Sequence, residues 1–328
     1  MAAFLAIESG LYVEAMFLML QPEGLCRPSL LSAKNIANKL NIHLHVIDKI
    51  REFKIQIINY FINSYKQGIT PNPCVICNPL IKFKTGLSLL NELSFDFFMT
   101  GHFARIVVAD EKPALLKGLD PYKDQSYFLH QIPRADLLKI NFPLGNLKKD
   151  EIKKIAFNAS LKDIIQPESQ EICFVREDYR SFLKTSAAIF EPGDIVSMDG
   201  KSLGTHNGIH NFTIGQRSGL GISDATPYYV VRLDPSNNRV IVGKEKDLFR
   251  DELLVKGVNW LCDQDLAFAS PCTVKIRYRH KGAGARLYPA DDSMVRVKFD
   301  EPQRAVTPGQ FAVFYEDARV LGGGSICA

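Results

Sequence analysis

The segment YVEAMFLML, residues Tyr12 to Leu20, is an almost continuously apolar run that follows a helical pattern ending at Gly10. An apolar run without polar alternation predicts a strand buried on both faces, which is typical of a parallel sheet. Next along the chain, Ser29 to Leu40 has helical periodicity and His43 to Ile47 predicts a second strand. This alternation indicates a doubly wound α/β domain, whose ligands bind at the carboxyl ends of the strands.

The same alternation continues to about residue 100. A long helix is predicted over Glu52 to Lys66, and its apolar stripe consists of Phe53, Ile57, Phe61 and Tyr65. A further helix is predicted over Ile81 to Leu93, and a third buried strand over Phe95 to Thr100. The first part of the chain therefore has the fold class of a doubly wound parallel sheet.

Composition limits the classes of function that the chain can have. Its 328 residues are 46% hydrophobic and 23% charged, which is sufficient for two or three globular domains. A balance of 40 basic against 36 acidic side chains gives a net charge of +4, which permits a nucleic-acid partner without demanding one. The odd count of seven cysteines, without a recognisable secretory signal, favours a reducing compartment. We therefore expect a soluble, cytoplasmic protein that does not enter a membrane.

The segment TPNPCVICNPLIKFK, Thr70 to Lys84, is the strongest candidate for chemistry. Cys74 and Cys77 are one helical turn apart, between a loop stiffened by prolines and the helix predicted from Ile81. Thiols near a helix N-terminus have lowered pKa values and are reactive. Two buried structural cysteines would give the same pattern, because a free cysteine often serves as a small core residue.

Two other places combine reactive residue types with a favourable position. Gly101 and His102 follow the strand predicted over Phe95 to Thr100, where parallel strands bind ligands, although a lone histidine is often structural. Cys173 lies in Glu171 to Val175, which predicts a short apolar strand with the cysteine in the core.

A polar triplet precedes a short aromatic helix that is predicted over Ser126 to Gln131. The triplet consists of Lys123, Asp124 and Gln125. It is either a binding segment or only the polar first turn of that helix.

After about residue 186 the apolar period changes to two and helices nearly vanish. Hairpins are predicted around the Asp199-Gly200 turn and between Tyr228 and Gly243. From about residue 251 the pattern is entirely β, and basic side chains occupy one face of two strands: Lys275, Arg277 and Arg279, then Arg296 and Lys298. Such faces are usually only solvated, but they could also line up phosphates.

Seven segments, in this order, resemble the tRNA-specific 2-thiouridylases, which thiolate the wobble uridine of certain tRNAs. They are TPNPCVICNPLIKFK (70–84), TGHFAR (100–105), KDQSYFL (123–129), SQEICFV (169–175), FTIGQRSGLG (212–221), KIRYRH (275–280) and AVTPGQFAVFY (305–315). The resemblance implies an N-type ATP pyrophosphatase domain over residues 1–185, a central β domain over 186–250 and a tRNA-contacting C-terminal β-barrel over 251–328. It also implies ATP with Mg²⁺, and a persulfide donor or relay protein as a partner.

The resemblance further implies a role for individual residues of this chain. Cys173 would carry a persulfide and Cys77 would be the nucleophile, on a uridine adenylated by ATP, with a disulfide possible between the two cysteines. The Cys173 segment would then be a mobile loop over the site. The implied target-base contacts are Asn72, Pro73 and Cys74. The implied tRNA contacts are His102, Lys123, Asp124, Gln125, Arg277, Tyr278 and Gln310. The implied nucleotide contacts are Leu18 and Gly101.

The sequence departs from the family pattern at two places. Cys74 stands where the family often has Asp, so Cys74, Cys77 and Cys173 are three candidate thiolates, a set that would also suit an iron–sulfur cluster. The family's glycine-rich phosphate loop and the strand before it are expected just ahead of Ala2 and are missing there. Without that strand we expect an exposed apolar sheet edge. Either residue 1 is set too late, which we favour because the later motifs are intact, or adenylation has been lost.

Two other classes of function stay open from the sequence. A noncatalytic tRNA-binding remnant would use the basic faces of the β module alone, and its binding would weaken steeply with salt. Metal-thiolate storage or sensing through Cys74 and Cys77 is the other class, and it explains none of the later motifs.

Overall fold

The structure is a computed structural model that describes residues 1–159, 161, 172–175, 178–186, 190–291 and 293–327. The polar run from Pro167 to Gln170 and the first residue of the strand predicted over Glu171 to Val175 lie outside these ranges. The described chain has an α/β part, a small central sheet and a final β-barrel, in that order. This order confirms the predicted fold class.

The α/β part alternates helices and short strands. Their bounds are α1 (Ala2–Glu8), β1 (Ala15–Met19), α2 (Glu23–Leu40), β2 (Leu44–Asp48), α3 (Ile50–Phe53), α4 (Asn59–Lys66), α5 (Pro73–Cys77), α6 (Lys84–Glu92), β3 (Phe98–Met99), β4 (Ala104–Ala109), β5 (Lys112–Lys117), β6 (Ile140–Asn141), α7 (Lys149–Asn158) and α8 (Tyr179–Thr185). Short 3₁₀ turns cover Ser126–Phe128 and Arg134–Lys139.

The parallel strands form two separate pairs. Strand β1 runs parallel to β2 from Ala15 opposite Leu44, and β3 runs parallel to β6 from Phe98 opposite Ile140. Within the described residues β1 and β3 do not pair, and an open cavity of about 540 Å³ lies between them, walled by α1 and α6. All five residues of β1 are half-buried, and Phe97 before β3 is 54% exposed. The prediction that these strands are fully buried was therefore wrong, because this cavity takes the place of packed neighbours.

The long helix over Ile50–Lys66 contains a wider π-helical turn at Lys54–Ile58, between α3 and α4. Its predicted stripe is confirmed, since Phe53, Ile57 and Phe61 are buried and Tyr65 is 7% exposed. Residues four apart drift around an α-helix by about 40° per step, because a turn has about 3.6 residues. The wider turn reduces this drift and keeps the stripe facing one core.

The cysteine helix begins earlier than predicted. Pro73 is its first residue, where a missing N–H costs nothing, and α5 runs through a π-helical turn at Asn78–Phe83 into α6. The predicted helix start at Ile81 placed Cys74 and Cys77 ahead of the helix. Both cysteines are instead inside it. The strand predicted over Phe95 to Thr100 shortens to Phe98–Met99.

The central part is a four-stranded sheet in the order β8-β7-β10-β9. The strand bounds are β7 (Gly193–Ser197), β8 (Ser202–His206), β9 (Tyr229–Asp234) and β10 (Arg239–Gly243). Both predicted hairpins are confirmed, because β7 pairs with β8 and β9 pairs with β10, each antiparallel. Gly200 turns the first of them with a positive φ of 85°, a conformation that favours glycine.

The last part is a barrel of six strands in the order β11-β14-β13-β12-β15-β16, closed because β11 also pairs with β16. The bounds are β11 (Phe249–Trp260), α9 (Gln264–Ala269), β12 (Cys272–Lys275), β13 (Ala283–Pro289), β14 (Val295–Arg304), β15 (Phe311–Glu316) and β16 (Arg319–Ile326). The predicted alternation on β14 is confirmed: Val295, Val297 and Phe299 are buried, whereas Arg296 and Lys298 are exposed.

The barrel and the α/β part share a core. Hairpin β4–β5 joins the barrel sheet where Arg319 of β16 is opposite Leu116 of β5. Buried Tyr127 and Leu129 pack in one cluster with Phe311 and Tyr315 of the barrel, and the Tyr127 hydroxyl donates to the Phe311 carbonyl at 3.0 Å. The barrel therefore helps to position the segment that follows the polar triplet. Among the described helices, none has the length and apolarity to span a membrane.

Candidate active site

The loop in front of the cysteine helix is held by the barrel. The Thr70 N–H donates to the Pro308 carbonyl at 3.1 Å, and the Gln310 side-chain amide donates to the carbonyls of Thr70 at 3.1 Å and Pro71 at 3.4 Å. These bonds cross about 240 positions of sequence. The predicted base-contacting residues Asn72 and Pro73 start directly after this clamp.

Gly309 lets the barrel turn approach this loop closely. Its φ is +84°, and a Cβ atom there would lie 2.0 Å from Ile69 Cγ2 and 3.0 Å from the Thr70 carbonyl oxygen. A residue with a side chain would meet both a strained backbone and a collision at this position. The geometry of the cysteine loop therefore depends on a glycine in the connection between β14 and β15 of the barrel.

Cys173 lies in a turn and is exposed, so the prediction of a core strand residue was wrong. Its carbonyl accepts a hydrogen bond from the Gln21 side chain at 3.3 Å, just beyond β1. The following residues are anchored, because Phe174 and Val175 are buried in one cluster with Cys77 and Phe61. The Phe174 ring is 5.2 Å from that of Phe61. The structure thus brings the Cys173 turn and Cys77 together across 96 positions of sequence.

Burial and nearby charges set the pKa values of the three thiols. The pKa of Cys77 is raised to about 12, chiefly by burial and to a smaller extent by the nearby Cys173 and Cys74. Burial also raises the pKa of Cys74. The residue Cys173 is exposed as a whole, but partial desolvation of its thiol, together with Cys74, raises its pKa. The predicted lowering of the pKa at the helix N-terminus is therefore wrong, since desolvation of the thiol outweighs it. All seven cysteines are free, so the structure does not support a disulfide.

The buried Cys77 thiol should make stability fall at alkaline pH. Its pKa is about 12 in the folded protein against an ordinary 9.0, so the unfolded chain loses this proton first. Above pH 9 that loss stabilises the unfolded state, by at most about 1.4 kcal/mol per pH unit per thiol, until the folded thiol also ionises. Urea unfolding measured from about pH 8 to about pH 11 should show that the free energy of unfolding declines less steeply with pH for Cys77→Ala than for the wild type. Equal slopes would contradict this origin.

Lys82 was missed by the sequence analysis. It is half-buried on the π-helical turn Asn78–Phe83, and its charge lowers the pKa of Cys74, Cys77 and Cys173 against the larger effect of burial. Residues five apart in an α-helix diverge by about 140°, so regular periodicity gives no reason to associate Lys82 with Cys77. Only the wider turn, which a sequence pattern does not reveal, could have indicated it.

The cysteines do not form a metal site in this arrangement. Across the described ranges, no three His, Cys, Asp or Glu side chains are grouped so that they could hold a metal ion. Three soft thiolates would suit an iron–sulfur cluster by their chemistry, but their placement here does not fit one. We therefore derive no step through a cluster.

His102 is enclosed by aromatic rings. Its Nδ1 lies 2.7 Å from Thr100 Oγ1, and its ring is 5.8 Å from that of Phe83 and 6.0 Å from that of Phe142. Burial lowers its pKa to about 3, so the imidazole is neutral at physiological pH. A tRNA contact by His102 stays a prediction, and it would have to be a neutral one.

The polar triplet before the Ser126–Phe128 turn has a structural role. The Asp124 carboxylate is buried and accepts hydrogen bonds from the backbone N–H groups of Gly118 and Ser126 and from the Ser126 hydroxyl. The Gln125 side chain accepts from the Phe103 N–H at 2.9 Å. Lys123 is half-buried. Contacts of these three residues with tRNA stay a prediction, which Asp124 fits least because its oxygens are engaged.

The remaining predicted contacts lie at two separate places. Strand β12 ends at Lys275, so the prediction that Arg277 and Arg279 belong to its basic face was wrong, because the chain bends and turns over residues 276–279. Arg277 is exposed in this bend, and the neighbouring Tyr278 is half-buried with its ring 4.4 Å from that of Phe128. Gly101 lines the cavity between β1 and β3, whereas Leu18 packs into the core cluster around Cys77. The structure therefore does not bring the two predicted nucleotide contacts into one cavity wall.

Comparison with known proteins decides the family. Residues 2–177 match the family model described as tRNA methyl transferase HUP domain, residues 180–244 match its PRC-barrel domain, and residues 250–326 match the aminomethyltransferase beta-barrel domain. A similar protein is tRNA-specific 2-thiouridylase MnmA 2 of Syntrophus aciditrophicus, 44% identical over 90% of this chain and 93% of that protein. The chain belongs to the tRNA-specific 2-thiouridylase family.

Other members of the 2-thiouridylase family match equally well. The tRNA-specific 2-thiouridylase MnmA of Symbiobacterium thermophilum is 41% identical over 94% of this chain and 80% of that protein. The enzyme of the same name from Acidithiobacillus ferrooxidans is 40% identical over 99% of this chain and 94% of that protein. The order of three domains expected from the resemblance is thus found, while the exact boundaries after residues 185 and 250 stay predictions.

Proposed function

We propose that this protein is a tRNA-uridine 2-sulfurtransferase, which uses ATP to replace the C2 oxygen of the wobble uridine by sulfur. One observation carries the proposal: Cys77 and the residues that follow Cys173 are in one core cluster, and Cys173 is close enough to raise the pKa of Cys77. Two cysteines that converge from distant parts of a chain are what a relayed sulfur transfer needs. Relatives named for 2-thiouridine formation support the same reading.

The proposed reaction balances through the two cysteines. The uridine C2 oxygen attacks the α-phosphorus of ATP, so that pyrophosphate leaves and an AMP ester forms. The terminal sulfur of a persulfide on Cys173 then attacks C2 while AMP leaves. The Cys77 thiolate then attacks the Cys173 Sγ, which breaks the bond to the transferred sulfur and leaves that sulfur on C2. The product is 2-thiouridine and a Cys77–Cys173 disulfide, which an external dithiol reduces by two electrons and becomes a disulfide itself. The disulfide is therefore an intermediate in this proposal and not a structural bond.

We assign the target base to Asn72, Pro73 and Cys74, and the body of the tRNA to the barrel face with Arg277, Tyr278 and Gln310. The support is their position: the base-contacting residues follow a loop that the barrel turn holds through Gln310. Gly101 borders an open cavity at the ends of parallel strands, where α/β domains bind nucleotides. A bound tRNA could thus contact the barrel and the cysteine helix at once.

The test is reconstitution with purified protein, unmodified tRNA, ATP and a persulfide donor, with the nucleosides analysed by mass spectrometry. We expect 2-thiouridine in the complete reaction and none without ATP or without the donor. Salt-sensitive tRNA binding without thiolation, in a reaction where a known member of the family is active, would instead identify a noncatalytic tRNA-binding protein.

Arg277 should contribute one phosphate contact. It is exposed, and its guanidinium donates only to the Arg304 carbonyl at 3.3 Å among the hydrogen bonds found between described residues. Arg277→Ala should weaken tRNA binding and reduce the slope of log affinity against log salt by about 1. Arg239→Ala is the matched control, since Arg239 is exposed on β10 of the central sheet. An equal effect of both variants would mean that only net charge matters.

Several finer assignments accompany this proposal. We propose a Mg²⁺ ion with ATP, a cytoplasmic location, and a persulfide-bearing protein as the sulfur donor. The iron–sulfur alternative has its own test: anaerobically purified protein would absorb broadly in the visible range and lose the band in Cys77→Ala. A colourless, iron-free protein with full activity would remove that alternative.

A further inference from the structure

Lys82 lies on the same face of its helix as Cys77. The turn Asn78–Phe83 is π-helical and Cys77 is the residue that precedes it. A π-helix joins residues five apart by hydrogen bonds, so such residues lie on one face of the helix, as residues four apart do in an α-helix. Cys77 and Lys82 are five apart. The wider turn therefore directs a cation toward the thiol that an ordinary α-helix would have turned away.

Lys82 also acts electrostatically on the other two thiols. Its charge acts on Cys74 and Cys173 as well as on Cys77, and on the neutral imidazole of His102. Among the described groups whose pKa is shifted, these four are the ones that Lys82 affects, and they come from α5, the Cys173 turn and the residues after β3. Among the ion pairs between described residues, none involves Lys82. It is thus a half-buried cation whose charge acts on all three thiols.

We infer that Lys82 is a positioning residue of the sulfur-transfer centre, whose ammonium group holds an anionic sulfur in place between Cys77 and the Cys173 turn. The inference rests on the proposed function for the identity of that sulfur, a thiolate or the terminal atom of a persulfide. Burial disfavours negative charge at this place, and a nearby cation is the physical means of offsetting it. Helix, turn and lysine together make a local anion site for sulfur.

The first test measures the local charge by alkylation, without tRNA or ATP. Iodoacetate is an anion and iodoacetamide is neutral, and with both reagents the sulfur bonds to carbon as iodide leaves. The ratio of their rates at Cys77 and Cys173, measured by mass spectrometry of peptides, therefore reports the potential at each sulfur. We expect Lys82→Met to lower the ratio for anion against neutral reagent by roughly fivefold, the effect of one charge a few ångströms away in a wet environment.

Matched variants make the result specific. Lys84→Met removes a charge two positions away, on an exposed residue of α6, and should leave the ratio unchanged. Lys82→Arg should keep the ratio within about twofold, because the charge remains. Lys82→Gln is a second neutral variant in case the methionine variant does not fold. High salt should reduce the difference between wild type and Lys82→Gln.

An unchanged ratio in a folded Lys82→Met or Lys82→Gln protein would overturn the inference. An equal fall in Lys84→Met would overturn it as well, since net charge would then be the cause. Failure of the proposed function would leave the alkylation result unaffected, because that assay needs neither tRNA nor ATP. If thiolation is found, Lys82→Gln should lower its rate at saturating tRNA more than it changes tRNA affinity, and Lys82→Arg should restore most of it.

Discussion

Replacing Cys77 by alanine is expected to abolish 2-thiouridine formation, with a loss of roughly 10⁴-fold or more, as for other removed nucleophiles. The side chain is buried in the cluster that anchors the Cys173 turn, and in the proposed reaction it releases the transferred sulfur from Cys173. The variant should still bind tRNA, because the basic faces of the barrel are untouched. The measurement is single-turnover thiolation with excess enzyme, together with a tRNA-binding titration.

Cys327→Ala is the matched control for this loss. Cys327 is a half-buried free thiol just after β16, and it lies outside the core cluster that contains Cys77. Full thiolation by the control and none by Cys77→Ala would assign the effect to one sulfur. Undiminished thiolation by Cys77→Ala would exclude Cys77 as the residue that releases sulfur from Cys173.

Gly309→Ala is expected to have the second large effect, through a collision at the cysteine loop. The added Cβ would lie 2.0 Å from Ile69 Cγ2 and 3.0 Å from the Thr70 carbonyl oxygen, so the loop or the barrel turn must move. A displacement of about 1 Å in a catalytic arrangement costs roughly 10²-fold in rate. Thiolation should therefore fall by about that factor, while the barrel, whose core is elsewhere, remains folded.

Gly200→Ala separates this collision from ordinary backbone strain. Gly200 has a φ of +85°, almost equal to the +84° of Gly309, but a Cβ there would have no neighbour within 4 Å. Both variants should lose about 1–2 kcal/mol of stability from the left-handed backbone, and only Gly309→Ala should lose activity. Thermal unfolding and the thiolation assay provide the two measurements. Equal activity of both variants would show that the loop tolerates the shift.

The parts of the fold that depend on local periodicity were predictable. The stripe from Phe53 to Tyr65 and the alternation on β14 follow from spacing alone, and both are found. The surroundings of β1 were not predictable, because the apolar run Tyr12 to Leu20 carries no information about the cavity beside it. Burial of a strand depends on the elements that pack against it, and the sequence of the strand alone does not show which elements those are.

The site was predictable in its residues and less so in its chemistry. Cys77 and Cys173 were singled out by motif, but the turn and exposure of Cys173 and the raised pKa of Cys77 depend on long-range packing. Position at a helix N-terminus indicated a lowered pKa, and desolvation in the cluster reversed the direction. Lys82 escaped notice because its relation to Cys77 requires a π-helical turn.

The pairing of hairpin β4–β5 with β16 has a consequence for how the chain folds during synthesis. Leu116 of β5 meets Arg319 of β16, so this contact closes a loop of about 200 residues. At roughly 5–20 residues per second, a ribosome needs on the order of 10–40 seconds to make that stretch. The edge of β5 that pairs with β16 therefore stays unpaired for that time. A chaperone that covers strand edges should raise the yield of folded protein.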